Sequence, residues 1–167
     1  MLSDSDGRAA EHVANMVKFF KKHDTKDMKV LELGAGHDKD FKNWLGDKVK
    51  SWDCTDKLGD VLMEDLPYDD DEYDIIFSCH AFEHCEEPVR ALREFKRVAK
   101  KWIIILTPYH CEHQILRADH DHIFCLTAMQ MKRLFKYIGI DIEKIYVQCK
   151  YVEKSQNYNL VSIGKVK

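Results

Sequence analysis

At 167 residues the chain has the length of one ordinary domain and is too short for two independently cored ones. Its 45% hydrophobic and 33% charged residues exclude an intrinsically disordered chain. With 26 basic against 29 acidic side chains the formal net charge is -3, which excludes a protein that grips nucleic acid by bulk charge alone.

Residues 8–22 place Ala9, Val13, Met16, Val17 and Phe20 at helical spacing, with Lys18, Lys21 and Lys22 near the end where a helix dipole favours cations. Lys29 to Leu33 predicts a short strand that stops at Gly34-Ala35-Gly36. Phe41, Trp44 and Leu45 predict a short helix ended by Gly46, and Val49 to Asp53 a second strand. Tyr73 to Ser78 and Lys101 to Thr107 are nearly continuous apolar runs, as expected of strands covered on both faces. Between them, Pro88 to Lys100 predicts a helix, with Pro in the first turn and Val89, Leu92, Phe95 and Val98 recurring at its period. Thr127 to Ile138 predicts another, capped by Thr127 and ended by Gly139. Ile140 to Val152 and Tyr158 to Val166 predict a closing hairpin that turns across Ser155-Gln156-Asn157. This alternation implies one α/β domain spanning 1–167: a doubly wound, Rossmann-like, mostly parallel sheet with helices on both faces and an antiparallel C-terminal edge.

The six cysteines include no C-x-x-C pair, the first ten residues lack a signal peptide's order, and the longest apolar runs fall far short of the ~20 residues of a membrane span. Reduced thiols in a cytoplasmic, soluble protein are expected.

The turn after the first strand fails as a dinucleotide fingerprint, because Lys39 stands where G-x-G-x-x-G needs its third glycine. A pyrophosphate docks on the free N–H groups of a helix N-terminus, but here Asp38 and Asp40 occupy that turn and would repel it. An acid two residues before the first glycine, with further acids after it, suits a ligand that carries positive charge.

These residues resemble the class I S-adenosylmethionine-dependent methyltransferases. Glu32-Leu33-Gly34-Ala35-Gly36 is similar to that family's first motif, and Trp52-Asp53 to the end of its second strand. Glu64 to Tyr68 with Tyr73 to Ser78 resembles the approach to its fourth strand, and Phe82-Glu83-His84 with Glu87-Pro88 a phrase common in small-molecule methyltransferases. Asp119 to His122, followed by a helix, Gly139 and a strand, resembles its tail. The resemblance implies S-adenosylmethionine as cofactor, with Glu32 ordering the methionine amino end and the backbone of Gly34, Ala35 and Gly36 approaching closely. It implies Asp53, with Cys54 beside it, at the ribose, Asp60 or Met63 at the adenine, and Ser78, Cys79 and His80 along the methionine side. Only six residues separate Asp53 from Asp60, so the sheet is expected to be shortened between the family's second and fourth strands.

Methyl transfer asks mainly for in-line positioning and exclusion of water. A hydroxyl or amine acceptor also needs a base that titrates near neutrality, and histidine suits that role. His110, His113 and His122, in the segment after the fifth family strand, are the candidates for base or acceptor binding, and the expected acceptor is a small molecule or sugar-like compound. Alternatives are a degenerate protein that holds the cofactor without transfer, and a nucleic-acid or protein methyltransferase using the basic side chains Arg90, Arg93, Arg97, Lys100 and Lys101. His80 to His84 also spells H-x-x-E-H, which makes a zinc-binding hydrolase a minor alternative, but that chemistry needs both histidines on one helical face and no metal is expected. So short a chain carries little lid sequence, which makes a second copy of itself a candidate partner for closing the site.

Overall fold

Val30, Leu31 and Leu33 leave at most 1% of their surface exposed, and Ile75 to Phe77 and Ile103 to Leu106 leave none. Strands that lie between two helical layers bury alternate side chains on both faces, which is why these runs do not alternate with polar residues. The computed structural model describes residues 16–36, 40–55, 61–109, 122–152 and 155–166. After helical residues 16–22 (α1) come β1 (Lys29–Leu33), α2 (Asp40–Leu45) and β2 (Ser51–Cys54). Then follow β3 (Tyr73–Cys79), α3 (Pro88–Val98), β4 (Ala99–Pro108), α4 (Ala128–Ile138), β5 (Asp141–Val152) and β6 (Ser155–Lys165). The six strands form one sheet in the order β2-β1-β3-β4-β6-β5. The first four run parallel, and β6 runs antiparallel to both β4 and β5. This is the mixed, Rossmann-like sheet that the alternation of elements predicts.

One face carries α1 and α2, through Met16, Phe19, Phe20, Phe41 and Leu45 against Val30, Trp52, Phe77 and Ile104. The other carries α3 and α4, through Leu92, Phe95, Met131 and Phe135 against Leu31, Ile76, Ile103 and Leu160. Each such side chain contributes about 1.5–3 kcal/mol of burial free energy. α4 is closed at both ends as its sequence predicts: Thr127 and Gln130 form a reciprocal capping box, and Gly139 takes the left-handed conformation, φ 77°.

Several boundaries differ from expectation. β2 starts at Ser51 and extends to Cys54, one residue past Asp53. α3 ends at Val98 rather than Lys100, because Ala99 turns extended and opens β4 opposite Tyr73. The closing hairpin does not turn across Ser155 to Asn157; those residues pair with Lys150 to Val152 and belong to β6. Between Cys54 and Tyr73 the described residues hold one isolated bridge, Leu62 with Asp65, and no strand, in line with the shortening read from the sequence. That stretch is instead clamped to α3. Arg97 donates to the carbonyls of Tyr68 (2.7 Å) and Leu66 (2.9 Å), and Glu94 accepts from the Leu66 N–H (3.0 Å). No helix among the described residues is long and apolar enough to cross a membrane.

Candidate functional site

The chain leaves β1 outward to β2 and returns to β3 on β1's other side, so the sheet's switch point lies between β1 and β3. In sheets of this kind the ligand crevice lies at the carboxyl ends of the strands beside the switch point. Gly34 and Gly36 follow β1 with φ of 72° and 68°, a region closed to most side chains. At Gly34 there is no room either: a Cβ would stand 2.4 Å from the Ala81 Cβ and 3.6 Å from Met63 Cε. The turns after β1 and β3 therefore touch, with Met63 beside them.

Thr55, which sequence reasoning missed, ties this turn to β2. Its hydroxyl accepts from the Gly34 N–H (3.1 Å), its carbonyl from the Ala35 N–H (2.9 Å), and its own N–H donates to the Glu32 carbonyl (2.9 Å). A hydroxyl residue directly after a strand that ends beside a glycine turn is the signal that could have found it.

Glu32 is 2% exposed, on the α1/α2 face. Trp52 Nε1–H donates to its carboxylate at 2.7 Å, and the Cys54 thiol lies 3.7 Å from the same oxygen. Cys79 ends β3 on this face; burial, then the charges of Glu32 and Glu83, push its thiol well above the usual range, so it is held as a neutral thiol. Asp53 points to the opposite face, where it is exposed and accepts from the Tyr73 hydroxyl (3.1 Å). Burial, then the Asp53 charge, raises that hydroxyl's pKa. The two acids that the sequence brought to one ligand thus sit on the two sides of the sheet's end. Asp60, His110 and His113 lie outside the described residues.

A second polar cluster occupies the α3/α4 face of the same edge. Ser78 pairs with Ile105, Thr107 follows two residues on, and neither buried hydroxyl has a hydrogen-bond partner among the described residues. His80 takes a left-handed conformation, φ 51°, and its N–H donates to the Leu106 carbonyl (2.9 Å). The chain then makes one 3-10 turn, Phe82–His84, so H-x-x-E-H is not presented on an α-helix. Glu83 is buried in that turn, and three imidazoles face its Oε1: His80 Nδ1 at 3.7 Å, His122 Nε2 at 3.8 Å and His84 Nε2 at 4.0 Å. His122 is brought in because the Ile123 N–H donates to the Glu83 carbonyl (3.0 Å) and the Phe124 ring packs on Phe82, centroids 5.4 Å apart.

Arg90, Arg93, Arg97 and Lys101 each have a partner within the chain, while Arg90, Arg93 and Lys100 remain exposed. Arg97 holds Glu94 and Asp70, Lys101 pairs with Asp74 (2.9 Å), Arg90 with Glu87 (3.5 Å), and Arg93 stands 5.9 Å over the Tyr137 ring.

The edge offers a buried carboxylate under a glycine turn at one side and a carboxylate ringed by imidazoles at the other. That fits a compact ligand with a cationic end. S-adenosylmethionine has that chemistry.

Comparison with known proteins agrees. The profile of the methyltransferase domain family matches residues 9–105, more than half of the chain. Among solved structures, a proposed methyltransferase of Bacillus halodurans superposes with a TM-score of 0.71 at 12% identity, covering 92% of this chain and 97% of that one. A SAM-dependent methyltransferase from Aquifex aeolicus gives 0.62 at 17% identity, covering 93% and 89%. Magnesium protoporphyrin IX methyltransferase from Synechocystis, with bound SAH, gives 0.64 at 10% identity, covering 96% and 83%. No curated protein sequence matches the chain.

Proposed function

We propose that this chain, which belongs to the methyltransferase domain family and takes S-adenosylmethionine as its cofactor, transfers a methyl group to a small-molecule or sugar-like acceptor within a single domain. The observation that carries the reading is the contact of Gly34 with Ala81, which sets a glycine turn at the switch point directly above the buried Glu32.

S-adenosylmethionine, when bound, supplies a methyl group already activated by its sulfonium. The chain's task is placement. Glu32, kept in position by the Trp52 indole, orders the methionine amino end, and the backbone of Gly34, Ala35 and Gly36 lies along the ligand. Asp53 and Cys54 serve the ribose, Asp60 or Met63 the adenine, and Ser78, Cys79 and His80 the methionine side. His110, His113 and His122 are the candidates to take the proton that an acceptor hydroxyl or amine releases. A small acceptor is favoured over nucleic acid by the pairing of Arg90, Arg97 and Lys101 with neighbouring carboxylates, which offsets part of the basic charge of α3 and the start of β4.

Calorimetric titration of the purified protein with S-adenosylmethionine and S-adenosylhomocysteine tests the reading. Saturable micromolar binding is expected; binding of neither ligand overturns it. The absence of a strand among the described residues between Cys54 and Tyr73 favours a second reading, a cofactor-holding protein without transfer. Binding without label transfer from methyl-labelled cofactor to any of a panel of hydroxyl and amine compounds would select it, and label on nucleic acid or protein would reassign the acceptor class. Sedimentation that shows only monomer during turnover would remove a second copy from the closed site.

A further inference from the structure

We propose that Glu83, His84 and His122 form a binding site for a divalent transition-metal cation of the zinc type. One ligand atom from each of the three lies within 4.8 Å of the others. The Glu83 carboxylate is 3% exposed, and the His84 and His122 side chains are 19% and 13% exposed. The distances from Glu83 Oε1 to His122 Nε2 and His84 Nε2, 3.8 and 4.0 Å, are too long for hydrogen bonds. They lie only about half an ångström beyond the separation of roughly 3.3–3.4 Å at which a tetrahedral cation with bonds of about 2.0–2.1 Å holds its donors. Small side-chain rotations close that difference. The rings of His84 and His122 meet edge to face, centroids 4.9 Å apart, so both imidazoles reach the carboxylate from neighbouring directions.

The donor set decides the class of ion. Two imidazole nitrogens and one carboxylate oxygen suit zinc, cobalt, iron or nickel and are a poor match for calcium or magnesium, which prefer oxygen alone. The site is also built before any ion arrives. The Ile123 N–H to Glu83 carbonyl bond and the Phe82–Phe124 contact fix the segment bearing His122 against the turn bearing Glu83 and His84. His80 adds a further imidazole, its Nδ1 3.7 Å from the same carboxylate oxygen on the more exposed side. Ligands come from the turn after β3 and from the segment leading into α4, so the cation pins together two parts of the α3/α4 face that are distant in sequence. A cation on His122 takes the nitrogen that would accept a proton, which leaves His110 and His113 as the candidate bases.

The site shares His122 with the proposed acceptor side of methyl transfer, but metal binding is tested without the cofactor. The full chain is stripped with chelator and titrated with Zn2+ and with Co2+ alone. One equivalent of each is expected to bind, with visible Co2+ bands and no thiolate-to-metal charge-transfer band. His84→Ala and His122→Ala are each expected to weaken Zn2+ at least about 100-fold, the upper end of what loss of an outer-shell partner alone costs. Unchanged affinity in both variants, a charge-transfer band that places the ion on cysteines, or no saturable binding overturns the proposal. If a variant does not fold, zinc-edge X-ray absorption of the unaltered protein decides: two or three imidazoles with an oxygen donor support the site, and a sulfur shell overturns it.

Discussion

Glu32 and Glu83 are both buried at the carboxyl edge of the sheet, each 2% exposed, yet they are held by partners of opposite kinds. Glu32, on the α1/α2 face, accepts at 2.7 Å from an indole N–H that neither titrates nor ligates metal, with the Cys54 thiol farther off at 3.7 Å. Glu83, on the α3/α4 face, is approached by three imidazoles, groups that do both. A buried carboxylate beside a fixed donor suits a cationic ligand. One beside histidines is a place where protons or cations are exchanged. The burial is equal; the neighbours decide the chemistry.

The largest effect expected comes from joining the two regions by force. Gly34→Ala adds a methyl at φ 72° where Ala81, two residues before Glu83, leaves 2.4 Å. Strain and overpacking together predict a loss of about 2–4 kcal/mol in chemical denaturation. Abolished cofactor binding is expected with it, and wild-type stability would show that the two turns are not in contact.

Trp52→Phe acts on the Glu32 side alone. It leaves a buried carboxylate without its indole donor, for which a loss of about 1–3 kcal/mol is expected. Adding Glu32→Gln should recover part of that loss, and strict additivity in the double-mutant cycle would mean the pair is not coupled.

Asp53→Ala should weaken cofactor binding by about tenfold, or roughly 1.4 kcal/mol, with the fold intact. An unchanged dissociation constant would confine Asp53 to its role as acceptor for the Tyr73 hydroxyl.

The smallest effect concerns a third carboxylate, Glu94, partnered by a guanidinium. Its hydrogen bonds with Arg97 hold its pKa below the ordinary 4.5, so its contribution to stability is complete above that pH and is lost as the pH falls through the lowered value. Glu94→Gln should flatten the acid limb of a denaturation series below about pH 4.5, and an unaltered limb would show that the clamp on residues 66–71 does not depend on charge.

The parts of this arrangement that could be read from the chain are those set by neighbours in sequence. Apolar runs gave β1, β3 and β4, the Thr127-to-Gln130 spacing gave the cap of α4, and the acid before Gly34 marked the turn, because each depends on residues a few positions apart. What escaped depends on distant partners. Nothing local says that Asp53 meets Tyr73, that Thr55 braces Gly34, or that Arg97 spends its guanidinium on the chain's own carbonyls. The same limit hid Glu83 as the meeting point of the histidines: the sequence offered His122 only as one of three candidates after a strand, whereas its partner is set by a backbone bond between Ile123 and Glu83.

The placement of β6 has a consequence for how the protein is made. Among the described residues β5 pairs with β6 alone, and β6 lies between β5 and β4. During synthesis β5 therefore emerges before the strand it pairs with, and the edge of β4 stays open meanwhile. A ribosome that pauses before Ser155 leaves a nascent chain with its parallel half assembled and one bare edge, the species in which chaperone capture or premature association would concentrate.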